Sequence, residues 1–376
     1  MQENRVLQTE PLISSYLNRK ACGLGLPVGG SFELTARCNF NCKMCYVHLS
    51  ESEQARLGRE LTADEWLSLA SDARDMGLIF LLLTGGEPFL RGDFVCIYEQ
   101  LVKMGLVISV NTNAYLYNSE LRKLFKKYPP SRLNVTLYGG SDETYERLCG
   151  RALFGRVKQN LRSMCADGLP VRLNVSLTPQ NAGDMEAIDA ISRELKLQAK
   201  AASYMYPPVR LGGAAGENAA RFSAEQAGRA MARWNMLRDT REAFIERARR
   251  IREHQAGGIS ENCAHPEQEG VSCRAGRSSF WLTWDGRMTP CGTMDIQPSF
   301  PLRDGFASAW EEVRARTAAI RLPSECAACK MRKNCGVCAA VCKCETGRFD
   351  GKPEYLCAMS KSLAECVLET ADKMQS

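Results

Sequence analysis

Histidine is scarce in this sequence. His48, His254 and His265 stand against 18 cysteines in 376 positions, which disfavours centres built from several imidazoles, such as His-rich zinc hydrolase sites. Long apolar runs are missing too. The longest near the middle, Leu78 to Leu83, is six residues, far below the roughly 20 needed to cross a bilayer. The first 15 residues carry Glu3, Arg5 and Glu10 and no apolar core of signal-peptide length, so neither export nor a membrane is expected, and the sequence reads as cytoplasmic. One-sided charge is also lacking: the formal net charge is +6, with no Lys/Arg run interleaved with aromatics, so no nucleic-acid partner is expected. With 45% hydrophobic and 24% charged residues, disorder is excluded as the dominant state.

Cysteine is what is abundant, and in a reducing compartment dense cysteine reads as metal or redox chemistry rather than disulfides. From about residue 32 the sequence alternates β-rich runs with amphipathic segments, as repeated βα units do. Six strands are expected, at 32–36, 78–83, 106–111, 132–138, 171–177 and 199–205. Thr62 and Glu65 make a capping box that opens a helix over 62–76. Continuous apolar strands such as 78–83 suit a parallel sheet covered on both faces. Six units rather than eight imply an α/β fold of open form, a partial (βα)6 TIM-like barrel. Residues 207–222 read as a loop, since no Lys-Ser/Thr follows their glycines to make a phosphate cradle. The stretch from Ser223 to His254 is too long for one ordinary helix and should break or bridge. Residues 263–357 then hold ten of the 18 cysteines with little helical periodicity, which predicts a small domain held by metal rather than by an apolar core. The expected organisation is an N-terminal arm over 1–31, the barrel over 32–215, a helical bridge over 216–262 and a cysteine-rich domain over 263–376.

Two motifs follow the first two strands. Cys38-x3-Cys42-x2-Cys45 places three thiolates on one loop, enough to hold three irons of a [4Fe–4S] cube and leave the fourth open. A zinc knuckle completed by a ligand such as His48 is the alternative. Thr84-Gly85-Gly86-Glu87-Pro88 ends the second strand; its glycines allow close approach of backbone to a ligand, and Glu87 carries a carboxylate for a cationic group. A plain strand-to-helix turn is the alternative there. Both motifs fall at the C-terminal ends of adjacent parallel strands, where βα barrels place active sites.

Together, the cysteine triad and the GGEP segment resemble the radical SAM superfamily. The resemblance implies a [4Fe–4S] cluster on Cys38, Cys42 and Cys45 that binds S-adenosylmethionine at its open iron, cleaves it reductively and releases a 5′-deoxyadenosyl radical that abstracts hydrogen. Gly85, Gly86 and Glu87 would contact the methionyl ammonium, with Pro88 and Tyr46 beside them. Met44 stands where the family usually has an aromatic residue, and can fill an apolar gap. Asn111-Thr112-Asn113 resembles the family's polar segment near the ribose, and Thr136-Leu137-Tyr138-Gly139 its Ser-Leu-Asp-Gly segment, with Tyr138 replacing the Asp. Thr178, Asn181, Tyr204 and Tyr206 end the last two strands and read as caps or core residues, cofactor or substrate contact being the alternative.

Cys273, the Gly286-x4-Cys291 pair, the run Cys326, Cys329, Cys335, Cys338, Cys342, and Cys357 resemble the SPASM extension of radical SAM peptide and protein maturases. That resemblance implies two auxiliary [4Fe–4S] clusters, a distal one on Cys326, Cys329, Cys335 and Cys357 and a proximal one on Cys273, Cys291 and either Cys338 or Cys342. Cys263 is the candidate fourth proximal ligand; without it that cluster keeps an open iron. A double zinc ribbon is the alternative reading of the paired cysteines. Cys22, Cys96, Cys149, Cys165, Cys344 and Cys366 are left as small core residues.

Auxiliary clusters offer a sink for the electron that a substrate radical must lose, so the expected reaction is oxidative. The sulfatase-maturating branch carries an Asp after the residue matching Cys291, where this chain has Gly292. Intramolecular crosslinking of a ribosomally made peptide therefore ranks above formylglycine maturation, with epimerisation and small-molecule dehydrogenation as further alternatives. A non-catalytic electron-transfer or scaffold protein is the remaining one, against which the intact triad and GGEP weigh. The expected partners are a peptide or protein substrate and a flavodoxin- or ferredoxin-type electron donor. About 31 residues before the first strand leave no room for a leader-binding domain, so either a separate leader-recognition protein or recognition by the face of the SPASM-like domain is expected.

Overall fold

Alternate burial along short strands builds the sheet. In a computed structural model, which describes residues 12–47, 49–212, 218, 220–256, 270–327 and 329–376, eight strands form one sheet. They are β1 (Gly29–Glu33), β2 (Phe80–Thr84), β3 (Val107–Thr112), β4 (Arg132–Thr136), β5 (Val171–Ser176), β6 (Gln198–Ala202), β7 (Ser279–Leu282) and β8 (Met288–Thr289), in the order β6-β5-β4-β3-β2-β1-β7-β8. The first six are parallel, each next to its sequence neighbour, which is the open (βα)6 arrangement read from the sequence. Ile108 and Val110, Leu133 and Val135, Leu173 and Val175 are buried, while the residues between them alternate onto the lumen side. The helix after Thr62 runs Ala63–Asp75 with both halves of its capping box made. Cys263, His48 and His265 lie outside the described residues.

Two strand boundaries differ from expectation. β1 begins at Gly29 and ends at Glu33 because it pairs over that span with β2 on one side and β7 on the other; residues 34–36 have already left the strand for the cysteine loop. β6 stops at Ala202, so Tyr204 and Tyr206 belong to its exit loop. The Ser223–His254 stretch does break, into Ala224–Arg238 and Arg241–Ala256.

The larger difference is in the cysteine-rich region. β7 adds to the barrel sheet parallel to β1, and an Asp285-Gly286 turn, with Gly286 at φ +85°, returns the chain into β8. Phe280 stacks near Phe306 at 5.1 Å and Phe32 at 6.4 Å, and Trp310, fully buried, donates to Gly25 O at 2.8 Å. Residues 279–313 thus share the barrel's apolar core, which an expectation of metal alone did not provide for. Local periodicity could not reveal this, since β7 meets a strand about 250 residues earlier. No helix among the described residues is long and apolar enough to cross a membrane.

A C-terminal helix, Glu354–Gln375, packs against Ala224–Arg238. A Cβ on Gly228 would lie 2.5 Å from Met359 O and 2.7 Å from Leu363 N, so the crossing depends on a missing side chain. This contact orients Cys357, one turn into the C-terminal helix. Gly228→Val should destabilise the chain by about 1–3 kcal/mol in chemical denaturation despite removing a helical glycine; unchanged or raised stability would show that the crossing is loose.

Candidate active site

The loop from Leu34 to Tyr46 is clamped from two sides. Past the end of the β1–β2 ladder, Leu34 N donates to Thr84 O at 2.9 Å, Gly86 N to Thr35 O at 2.8 Å and Glu87 N to Arg37 O at 2.9 Å. A Cβ on Gly85 would stand 2.4 Å from Thr35 O, and one on Gly86 2.2 Å from Arg37 O. The glycines therefore serve first to let two backbones touch, a role that the sequence reading had given to ligand approach. On the other side, Asn41 N and Lys43 N donate to Cys149 O and Leu148 O at 3.0 and 2.9 Å, carbonyls at the end of the helix Asp142–Cys149 that lack partners within it.

A charged brace unnoticed in the sequence supports the same loop. Arg37 holds Glu60 through two bonds of 2.9 Å, Thr35 Oγ1 donates to the same carboxylate, and buried Arg91 donates to Leu34 O and Leu61 O at 2.9 and 3.0 Å. Paired planar guanidinium–carboxylate contacts give direction as well as attraction.

The three loop thiols are enclosed by donors. Cys38 Sγ accepts from Phe40 N at 3.4 Å and faces Asn113 Nδ2 at 3.8 Å; burial raises its pKa well above the ordinary thiol value. Cys42 is raised too, first by its hydrogen bond with the Cys149 thiol and then by burial, while a hydrogen bond from Tyr138 acts in the opposite direction. Cys149, taken from sequence as a core residue, is buried and also touches this site. Asn39 Nδ2 is buried without a hydrogen-bond partner in the same loop. Three soft donors, N–H groups aimed at sulfur and an orphaned amide fit an iron–sulfur cluster with a polar ligand beside it. Among the described residues no three His, Cys, Asp or Glu side chains are gathered around a single metal ion.

Glu87 is fully buried. Its Oε1 accepts from Phe89 N at 3.2 Å and Thr112 Oγ1 at 2.8 Å, and its Oε2 from Asn113 N at 2.8 Å. Burial outweighs these bonds and pushes its pKa up to about 7. Pro88 starts the short 3-10 turn that Glu87 caps. Asn113 also donates to Asn39 Oδ1 at 2.9 Å, so the β3 exit reaches the cysteine loop directly. Asn111 lies deeper, in a lumen ladder where Asn134 Nδ2 donates to Asn111 Oδ1 at 2.9 Å and Asn111 Nδ2 to Thr84 Oγ1 at 3.4 Å. Thr136 ends β4 beside Asn174. Met44 is buried in the core. Thr178 and Asn181 are fully buried and brace the β5 exit, Asn181 donating to Tyr138 O at 2.8 Å.

Tyr46 links the loop to the cysteine-rich region. Its ring lies 6.2 Å from that of Tyr206, whose hydroxyl is 3.9 Å from Cys338 Sγ. Beside Tyr46, the buried pair Glu33–Arg210 closes the gap between β1 and the β6 exit; Glu33 also accepts from Trp281 Nε1 at 2.9 Å, and Arg210 donates to Gly292 O at 3.0 Å. A Cβ on Gly292 would come within 2.8 Å of the Trp281 ring, so an aspartate at this position would require the indole to move.

The remaining cysteines separate into two groups. Cys291 and Cys273 are raised by burial, and each lies within electrostatic reach of Cys338. Cys326, Cys329, Cys335 and Cys357 line one cavity of about 360 Å³. Cys342 is fully buried and pushed up to about 12 by burial, with smaller contributions from Cys326 and Cys338. It packs in the same apolar cluster as Cys338 and Cys291.

Two expected outcomes follow from the clamp. Gly86→Ala should lower iron bound per chain after anaerobic reconstitution although every cysteine remains, with a stability cost of about 1–3 kcal/mol or more; full iron binding would show that the loop forms without the clamp. Glu87 favours the folded state while protonated, a contribution present below its ordinary pKa and lost as pH rises through about 7. The cluster-free chain should therefore lose stability relative to Glu87→Gln between about pH 5 and 8, by on the order of 3 kcal/mol. A pH-independent difference in urea denaturation would show that Glu87 is already ionised at the lower pH.

Residues 32–190 match the radical SAM superfamily. A probable GTP 3′,8-cyclase of Saccharolobus solfataricus is 33% identical over 164 residues, 43% of this chain and 52% of the relative; the chain spans about half the length of such cyclases. An AdoMet-dependent heme synthase of Methanosarcina barkeri is 24% identical over 339 residues, 86% of this chain and 95% of its own. In fold, the chain resembles Streptococcus suis SuiB bound to S-adenosylmethionine, with TM-score 0.65 and 16% identity over 94% of this chain and 83% of that one. It also resembles anSMEcpe with bound AdoMet, at 0.65 and 17% over 92% and 100%. The cysteine loop and the glycine clamp both fall within residues 32–190, the segment of this chain that is similar to the radical SAM superfamily.

Proposed function

We propose that this chain is an oxidoreductase that modifies a residue of a ribosomally made peptide by radical chemistry, forming an intramolecular thioether, ether or carbon–carbon crosslink. The observation that carries this reading is that Tyr46, next to Cys45, and Tyr206 link the cysteine loop to Cys338 of the second cysteine-rich region. Cys38, Cys42 and Cys45 would hold a [4Fe–4S] cluster and Gly85, Gly86, Glu87 and Asn113 would border S-adenosylmethionine, together supplying a 5′-deoxyadenosyl radical. Cys326, Cys329, Cys335 and Cys357 would hold one auxiliary cluster, and Cys273, Cys291 and Cys338 another.

The chain's own residues prepare the site. Phe40, in edge contact with Tyr115 and Tyr145, and Met44 keep water from the loop. Glu33 and Arg210 neutralise each other beside Tyr46, so a substrate need not supply a counter-charge there. Tyr46 and Tyr206 stand as aromatic rings between the loop and Cys338. The crowding at Gly292 supports ranking crosslinking above formylglycine formation, because the base would have no space beside Trp281.

A second reading, oxidation of a small molecule, is favoured by the heme synthase relative, which aligns over nearly its whole length. Anaerobic reconstitution followed by S-adenosylmethionine and dithionite should yield 5′-deoxyadenosine, abolished in Cys38→Ala; no 5′-deoxyadenosine from the wild type would sink both readings. Co-expression with peptides from neighbouring genes should then show a two-hydrogen loss of mass. Unchanged mass with deuterium uptake from solvent would indicate epimerisation, and no peptide change would favour the small-molecule reading.

A further inference from the structure

The end of the barrel opposite the cysteine loop carries a cavity of about 480 Å³, within the range of small-molecule sites. Four cations line it, Arg132 at the start of β4, Arg172 on β5, Lys200 on β6 and Arg274 ahead of β7, and among the described residues no carboxylate does. Ser109 and Ser131, whose hydroxyls are 3.1 Å apart, add neutral donors to the same wall. The strand register explains the convergence: Arg132 pairs with Ser109, Arg172 with Asn134 and Lys200 with Asn174, so each cation occupies a lumen position of successive strands.

A solvated lumen needs polar residues there, not charged ones. Deeper along the same face the chain uses neutral Asn111, Asn134 and Asn174, and cations appear only at this mouth. Arg172 and Lys200 make no hydrogen bond or ion pair among the described residues. Burial and, second, the proximity of Arg132 lower the pKa of Arg172, as removal from water and a like charge nearby both do. Concave walls of one sign concentrate counter-ions of the other, and guanidinium forks match phosphate oxygens.

We propose that this mouth of the barrel is a binding site for a compact, multiply charged phosphate compound, separate from the radical chemistry. A half-open cup of about 480 Å³ at the end of the barrel suits such a compact anion better than an extended acidic peptide, which needs a groove. Free polyphosphate and a nucleoside triphosphate share the chemistry, and parallel titrations distinguish them.

The test is calorimetric titration of the full-length reconstituted protein at constant ionic strength with inorganic triphosphate, a nucleoside triphosphate and a penta-glutamate peptide. Saturable binding of a phosphate compound should weaken roughly tenfold or more in Arg172→Gln/Lys200→Gln and persist in Lys123→Gln/Lys373→Gln, which removes the same charge from exposed surface. Triphosphate should raise the Tm of the wild type. The cavity variant, relieved of repulsion, should melt no lower than the wild type without ligand, which separates lost binding from lost folding. Absence of saturable binding, equal weakening in both double variants, or tighter binding of the peptide would overturn the proposal.

Discussion

The exits of β1 and β2 run in backbone contact for three residues beyond the sheet, and the remainder of the site depends on that contact. Its bonds from Gly86 N to Thr35 O and from Glu87 N to Arg37 O can form only because neither glycine has a Cβ. With the loop's entrance held there and its middle held by the last carbonyls of Asp142–Cys149, three cysteines are presented at one end of the barrel with little conformational freedom. Each bond is worth only about 1 kcal/mol net, but they act on one short segment whose ordering cost has to be met locally.

Electrostatics extends the clamp into the barrel. Glu87 spends its carboxylate on Phe89, Thr112 and Asn113, and Asn113 in turn faces Cys38, so the GGE segment, the β3 exit and the thiol loop respond together. The Glu33–Arg210–Trp281 group does the corresponding work on the other side, joining β1, the β6 exit and β7. The C-terminal region is therefore not an appendage: its β-hairpin shares a core with the barrel and brings Cys291 within electrostatic reach of Tyr46 and Tyr206. The opposite mouth of the same lumen is uniformly cationic, so the barrel presents two chemically different ends.

Much of the fold was legible in residue order. Strand positions in the barrel followed from alternation and apolar runs, the Ala63–Asp75 helix from its capping box, and the break in the Ser223–His254 stretch from excess length. The thiol loop and the GGEP segment were found as motifs, yet their physical relationship was read differently, because a glycine that accommodates a ligand and one that accommodates another backbone look alike in sequence. Cys149 and the Glu60–Arg37–Arg91 brace carried no local signal; each is built of ordinary residue types whose significance comes from what they face.

By itself, the sequence determined the chemistry available: thiols in clusters, few imidazoles, six βα units, and a spacing that matches one superfamily. Tertiary structure decided which of these groups meet. It placed Tyr206 between Tyr46 and Cys338, and joined β7 to β1. The physical reason is range. Periodicity and capping act within a few residues, whereas these contacts join positions from about 130 to 250 apart, and they form only when the whole sheet has closed around a common core.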